Sequence, residues 1–471
     1  MNFEGFIGPT YQLNSVNASA QRTVNLYPEK IGTGGENIQY YFRGTPGLDT
    51  HITLQAPIRG MYTTSSRMFV ATYNTLYEIF SDGTSISRGT ISLGSGSVGM
   101  SDNGFELCVV AGSTGYILNL STNVFTEITS DGWRGSLIVS FLNGRFYFVE
   151  PESGIYYWSD LYDGLTIDPL NFATAEGSPD NLLSMFVCYQ EAYAFGTNSI
   201  EVYYDSGDAN APLQRVNGAV IEYGCAAVNS IAKADNTIFF LGRDARGGGT
   251  VYAITGYQPQ RISTYSIEQE LQSYGSIEDA IAYTYQEDGH QFYVLNFTSA
   301  NTTWVYDITE GAWHERAFLD VDGNLDRHRG NYHAYAFGYH YVGDFENGKI
   351  YTMSSTLYSD DGDDIKRLRV FPHAVNEQKR IRFNYLQIDL ETGVGNPDDD
   401  EPIASLSWSN DGGHIYGNHR LAEVGAVGQY KKRVKFNRLG IGRDRVFSFD
   451  FTSKVKVTVL AAYIMAVGAS S

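Results

Sequence analysis

The chain has 471 residues, among them 50 Gly and 35 Tyr, and carries a formal charge of −20 at pH 7. At about 100 to 200 residues per domain this length predicts two to four domains, and two if the fold is repetitive. The acid excess excludes a protein that grips nucleic acid over its whole surface, since phosphate binding needs dense Lys and Arg; few helix-forming stretches and recurrent β-branched and aromatic runs predict an all-β fold.

The N-terminus, MNFEGFIGPTYQ, lacks a basic region followed by an apolar one, so no signal peptide is expected and folding in a reducing cytoplasm is. Residues 1–50 are irregular, with RTVNLYPEK at 22–30, a Gly-rich turn at 32–35 and YYFRGTPGL at 40–48. Alternation of Val24, Leu26, Tyr40 and Phe42 predicts a segment that packs along a body built by later residues and closes it with a strand.

From Ile58 one phrase recurs: an apolar entry, a turn with Asn, Asp or Gly, an aromatic strand, a second turn and another aromatic strand. Seven copies begin near Ile58, Val98, Leu137, Leu183, Val228, Ala280 and Ala334, spaced 39 to 54 residues apart. A period in the forties with about four short strands per unit is that of a β-propeller, in which each small sheet is covered by its neighbours. The last copy is the shortest, so six or seven blades are expected. Cys108, Cys188 and Cys225 lie in apolar strands at no metal-ligand spacing and read as buried free thiols. Ser266 with Gln269 three residues on predicts a short helix capped by Ser266, and residues 320–329 read as a protruding polar loop.

The chain changes character in residues 343–372, where a strand-like run gives way to an acidic turn and then a basic strand, and the repeat stops. Beyond it, strands at 380–390, 404–409, 433–439, 446–451 and 454–464, with an acidic loop at 396–402, predict a β-sandwich. The expected organisation is an N-terminal segment at 1–50, a propeller at 51–358 and a sandwich at 359–471. The longest apolar run, 457–467, is too short to cross a bilayer as a helix, so no membrane insertion is expected.

Motifs of chemistry are weak. GSGSVG at 94–99 has the dinucleotide spacing but no helix after it, so no cofactor is expected. Asp320, Asp322, Asn324 and Asp326 mimic a calcium loop, yet Leu325 stands where Gly is needed and Asn331 where Glu is. Ser409, Asp411, Gly413 and Tyr416 match a single Asp-box, a structural turn of sialidases that would recur per blade in such an enzyme. His328, His333 and His340 cluster in sequence, with His333, Tyr335, Phe337 and Tyr339 alternating along one strand face, a packing pattern without zinc spacing. No paired carboxylates and no activated nucleophile are recognisable, so neither an enzyme nor a metal site is expected.

Charge is segregated. Between Gln429 and Val446, seven basic residues (Lys431, Lys432, Arg433, Lys435, Arg438, Arg443 and Arg445) stand against Asp444, a local +6 that leaves −26 elsewhere. The bland reading is a solvated strand pair. The sharper one is a partner interface of Lys431, Lys432, Arg433, Lys435 and Arg438, complemented within the chain or between copies by Asp360, Asp361, Asp363 and Asp364 or by residues 398–401.

Several separated phrases carry a resemblance: RTVNLYPEK followed by RGTPGL; GDFENGKIYTMSSTLYSDDGDDIKRLRVFP; SLSWSNDGGHIYGNHR; and GAVGQYKKRVKFNRLGIGRDRVFSFDFTSKVKVTVLAAY. Together, and in order over nearly the whole chain, the sequence resembles the packaged-DNA stabilisation proteins, or tail hub and nozzle proteins, of short-tailed bacteriophages. The resemblance implies a structural virion protein, assembled in the host cytoplasm into a ring, a hexamer, below the portal and head-to-tail adaptor. Such a ring extends the channel for double-stranded DNA, retains the packaged genome until ejection, and meets a tail needle or plug and tailspikes or fibres. It assigns no individual functional residues. An acidic channel suits DNA passage, because each phosphate contact would slow it, so lumen-facing surfaces are expected to be acidic or neutral and the basic run to face protein. The alternatives are a carbohydrate-binding or glycan-cleaving, sialidase-like propeller acting on the host surface, and a receptor-binding propeller at the tail tip.

Overall fold

The computed structural model describes residues 1–32, 39–175, 180–243, 247–395 and 401–469. Its strands arise where apolar runs are cut by tips that tolerate positive φ, as at Asn143 (φ 46°) and Gly144 (φ 91°) between two paired strands. Such tips match the twist of a hairpin.

Seven four-stranded antiparallel units follow one another, with strands inside residues 60–90, 98–127, 139–174, 182–221, 232–261, 280–315 and 330–354, the last completed by Gly47–Thr53. Second strands such as Arg145–Val149 are buried at every position, as expected for sheets covered on both faces. Seven apolar clusters fill the spaces between successive units, from Phe69 and Leu107 between the first two to Met68 and Ile350 between the seventh and the first. The ring is therefore closed, and an N-terminal strand locks it by pairing Met353 with Leu48. Hairpin tips between first and second strands touch the loop between third and fourth strands of the next unit. Arg67 donates to the Leu120 carbonyl at 2.7 Å, Asn143 to Asp205 at 2.7 Å and Tyr257 to Glu191 at 2.6 Å, while Phe105 lies edge-on to Tyr162. These tips and loops share one face of the ring.

The main sandwich strands are β1 (Ala20–Val24), β2 (Leu26–Ile31) and β3 (Gln39–Gly44), ahead of the closing strand β4 (Gly47–Thr53). After β5 (Ala312–Glu315), the last strand of the sixth unit, come β6 (Arg367–Val370), β7 (Ile381–Leu390), β8 (Ile403–Ser409), β9 (Arg420–Glu423), β10 (Val434–Gly442), β11 (Asp444–Phe451) and β12 (Thr458–Gly468). One sandwich sheet has the order β1-β6-β11-β8-β9 and continues through β5 into the sixth propeller unit. The other is β2-β3-β12-β7-β10. Phe42, Phe371, Phe383, Phe447 and Phe449 fill the space between them.

Several expectations are refined or corrected. Residues 1–44 do more than lie along the propeller: β1 to β3 are sandwich strands, while Thr10 N donates to the Trp313 carbonyl at 2.9 Å, β1 runs parallel to β5, Tyr27 packs against Tyr283 and Phe292, and β4 closes the ring. The short helix, Tyr265–Ser273, is capped by Thr264, whose hydroxyl accepts from Ile267 N, because Ser266 is turned away to donate to the Gln12 carbonyl at 2.6 Å. The polar loop at 320–329 contains a strand, Leu325–Arg327, paired with Ala317–Leu319, and ends in buried Arg327 and His328. Phe337 sits at a hairpin tip with φ 52°, so Tyr339 belongs to the next strand and not to the face of His333. Residues 33–35 of the Gly-rich turn and 396–400 of the acidic loop lie outside the described residues.

Candidate functional site

Two of the sequence's most distinctive phrases meet in space. RTVNLYPEK supplies β1 and β2, and RLRVFP supplies β6, which pairs antiparallel with β1 through Arg22 with Val370, Thr23 with Arg369 and Val24 with Leu368. Asn25 stands at the corner where the chain leaves one sandwich sheet for the other. It is buried, has φ 54°, donates through Nδ2 to the carbonyls of Ala317 (2.8 Å) and Lys366 (2.9 Å), and accepts from Ala317 N at 2.9 Å. A residue type that tolerates the left-handed region and carries both donor and acceptor is what this corner requires.

Around it the propeller and sandwich are joined by buried charge. Arg22 makes a bidentate pair with Glu315 of β5, Nη2 to Oε2 at 2.7 Å. Arg369 is fully buried and its guanidinium donates to the carbonyls of Gly5, Phe6 and Pro9 and to Thr23 and Gln21, so it ties the first residues of the chain to β6. Burial lowers its pKa to about 9. Arg367 donates to the carbonyls of Ser453 (3.1 Å) and Tyr358 (3.3 Å); burial lowers it to about 10 against the pull of Asp360. Arg316 donates to the Pro46 carbonyl at 2.8 Å beside the closing strand. The carbonyls and side-chain oxygens around Arg369 satisfy it without a carboxylate partner, whereas Arg367 keeps its Nε unpaired beside Asp360; the chemistry of both is structural.

The acidic turn folds back on the propeller. Ser359–Asp360 runs parallel to β4 through Asp360 with Leu48. Asp360 is buried, and desolvation raises its pKa to about 6 although Arg316 and Arg367 pull it down. Asp361 accepts from Thr50 N (3.2 Å) and Thr50 Oγ1 (2.6 Å) and pairs with Lys349. Asp363 and Asp364 are exposed, Asp364 lying 3.5 Å from Lys454.

The basic run is only partly surface charge. Lys431, Arg433, Lys435 and Arg438 are exposed, Lys432 pairs with Glu423 at 2.6 Å, and Lys435 Nζ stands 3.6 Å over the Tyr385 ring. Arg445, counted with the run in the sequence, is buried: it stacks 4.4 Å over Phe383 and donates to Asn410, Leu439 and Ile441, and burial lowers it to about 10. Within one chain, among the described residues, no ion pair joins Lys431, Lys432, Arg433, Lys435 or Arg438 to the turn Asp360, Asp361, Asp363 and Asp364.

The motif-like stretches are occupied by local structure. The 94–99 loop wraps buried Arg59, which donates to the Gly96 carbonyl at 2.8 Å and the Ser92 carbonyl at 2.6 Å. Asp320 accepts from Asp322 N and Asn324 N and closes its own turn. Ser409 Oγ accepts from Gly413 N at 2.9 Å, and Asp411 accepts from His414 N and Ile415 N. His333 and His340 bond each other at 2.9 Å, His333 stacking on Tyr283 and His340 lying edge-on to Tyr285; burial lowers His333 to about 3, so it is neutral. Asn25, Glu315, Arg316 and Arg369 were not singled out in the sequence, whereas buried Arg445 was counted there with the basic run. Asn25 stands at the polar position of the alternation Val24, Leu26, so its residue type, a tolerant turn former, was the one available signal of a corner.

Fold and joint together define a β-propeller fused through one continuous sheet to a β-sandwich. A family model described as "Bacteriophage P22 Gp10, beta-propeller" matches residues 12–358, and one described as "Bacteriophage P22 Gp10, beta-sandwich" matches residues 366–467. The chain belongs to the bacteriophage P22 Gp10 family of phage stabilisation proteins, and with it to the structural proteins of phages. Comparison with curated proteins gave no match. Among solved structures the chain is similar to the computationally designed Ika8 protein (11% identity, 64% of this chain and 99% of that one, TM-score 0.39). It is also similar to the Neurospora crassa Pan2 WD40 domain (7%, 65% and 95%, TM-score 0.42) and the N-terminal domain of Nup159 (11%, 71% and 99%, TM-score 0.41). These superpositions, all below a TM-score of 0.5, bear on nothing further.

Proposed function

We propose that the chain is a non-enzymatic subunit of a phage tail hub or nozzle, forming a ring, a hexamer, below the portal and adaptor. The ring prolongs the DNA channel, holds the packaged genome and takes part in its ejection, in contact with the needle or plug and the tailspikes or fibres. The seven four-stranded units are read as seven blades, and the division between propeller and sandwich as falling within residues 355–366. The observation that carries this reading is the joint: one sheet of 11 strands runs from the sixth propeller unit into the sandwich, pinned by Asn25, Arg22 with Glu315, and Arg369. A subunit that must resist pressure from packaged DNA needs its two parts to act as one body, and a continuous hydrogen-bonded sheet supplies that. The sugar-acting alternative has no comparable support, since Ser409 and Asp411 are engaged in their own turn.

The test is retention. Filled heads that lack this protein should hold nuclease-resistant DNA once purified chain is added, and DNA that stays nuclease-sensitive at saturating chain would reject the reading.

A further inference from the structure

Large apolar side chains stand exposed in several places among the described residues, and two of these places are broad surfaces on different parts of the fold. The first is the outer face of β2-β3-β12-β7-β10. Its register sets three outward rows across β12, β7 and β10: Val467, Arg382 and Ile441; Met465, Tyr385 and Asn437; Tyr463, Gln387 and Lys435. Tyr463, Met465, Val467 and Ile441 are 40, 46, 45 and 47% exposed. A sandwich sheet that faces water alternates apolar inward with polar outward; along β12 the inward positions Val459, Ala462 and Ile464 are apolar and the outward ones are too. The charges standing in these rows, Arg382 and Lys435, are basic.

The second surface is the face of the propeller made by hairpin tips. In the seventh unit Tyr335, Phe337 and Tyr339 crowd one tip, 56, 36 and 57% exposed. Phe337 has φ 52° and Tyr189, at the tip of the fourth unit, φ 53°, whereas the third, fifth and sixth units place Asn143, Asp235 and Asp288 at that position. Asn and Asp adopt the left-handed region readily and a bulky aromatic does not. Phe337 lies edge-on to Tyr341 and Tyr189 sits under Lys233, rim contacts that leave most of the strain at each tip in place, and strain of this kind gathers where a surface is used. Asp205, against the Asn143 tip, Asp208 and the tip residue Asp235 outnumber Lys233, which stands over the Tyr189 ring, on the fourth- and fifth-unit part of this face.

We propose that these surfaces cover one another between copies: the apolar, basic outer sheet face of one sandwich docks on the aromatic, acidic hairpin-tip face of the next copy's propeller. The inference rests on the ring reading above and assigns its contact. The two patches are different parts of the same chain, so the contact is head-to-tail, the kind that propagates from copy to copy and closes into a ring. Both patches bury apolar area, and their opposite charge favours this pairing over like with like.

Native mass spectrometry of the full chain tests it with two variants. Met465→Asp with Val467→Asp breaks the sheet face, and Phe337→Asn with Tyr339→Thr breaks the tip while relieving its backbone. Each variant alone is expected to remain at the 52.2 kDa of one chain under conditions where the wild type forms rings. Mixed in equal amounts they should form dimers and nothing larger, because each retains one intact surface. The thermal midpoint of the tip variant should stay level or rise, showing that lost assembly is not lost folding. Rings from either variant, or a mixture that stays monomeric, would overturn the contact while leaving the ring reading in place. A wild type that stays monomeric at every concentration would overturn both.

Discussion

Asp360 is the residue whose surroundings conflict most with its charge. Buried in the strand beside β4, it faces Arg316, Arg367, Asp363 and Arg329, yet desolvation wins and its pKa rises to about 6. In the unfolded chain an aspartate titrates near about 3.9. Between those values the folded protein binds the extra proton, so this residue's contribution to stability falls as pH rises through that window and is level above it. Thermal midpoints measured from pH 4 to 7 should therefore decline more steeply for wild type than for Asp360→Asn. Superimposable pH profiles would contradict the assignment. The sequence placed Asp360 in an acidic turn with Asp361, Asp363 and Asp364 and gave all four one role. Burial separates them, and burial depends on Leu48, more than 300 residues away in the chain.

At the scale of elements, the corner at Asn25 decides how β1 and β2 are shared between two sheets. Asn25→Ala removes three hydrogen bonds and leaves the carbonyls of Ala317 and Lys366 and the amide of Ala317 without that partner. At about 1–3 kcal/mol for each buried group left unpaired, a loss of about 3 kcal/mol or more is expected. Asn25→Gly loses the same bonds but accepts φ 54° freely, and should recover about 1 kcal/mol of it. Equal stability of the two variants in denaturant titration would show that the backbone conformation at the corner carries no cost.

The repeating units were legible because aromatic strands and Asn, Asp or Gly turns recur with a fixed period, a local signal that survives without knowledge of partners. The destination of residues 1–44 was not, since the alternation of Val24, Leu26 and Phe42 identifies a buried face and says nothing of which sheet covers it. The helix was found but its cap was misplaced, because Ser266 serves Gln12, a tertiary contact, and Thr264 serves the helix. Arg445 is counted with a solvated or partner-facing basic run, and Arg367 and Arg369 with a basic strand, for a similar reason: composition counts guanidinium groups, whereas the burial of Arg367 and Arg369 is permitted by carbonyls from distant segments and that of Arg445 by the Leu439 and Ile441 carbonyls and Asn410.

For the whole molecule, the division of charge takes on a geometric form. The exposed bases of Lys431, Arg433, Lys435 and Arg438 belong to β10 and the turn before it, at one edge of the sandwich, and the propeller's hairpin tips carry acids. An acidic chain with one basic edge suits contacts between unlike surfaces and a channel that does not hold DNA. The most direct measurement is an averaged reconstruction of the tail at side-chain resolution. The account predicts copies of this chain in a closed ring around the DNA path, with Lys431, Lys432 and Arg433 against protein and the channel wall acidic or neutral. A map that shows no ring, or one that lines the channel with those three residues, would contradict it.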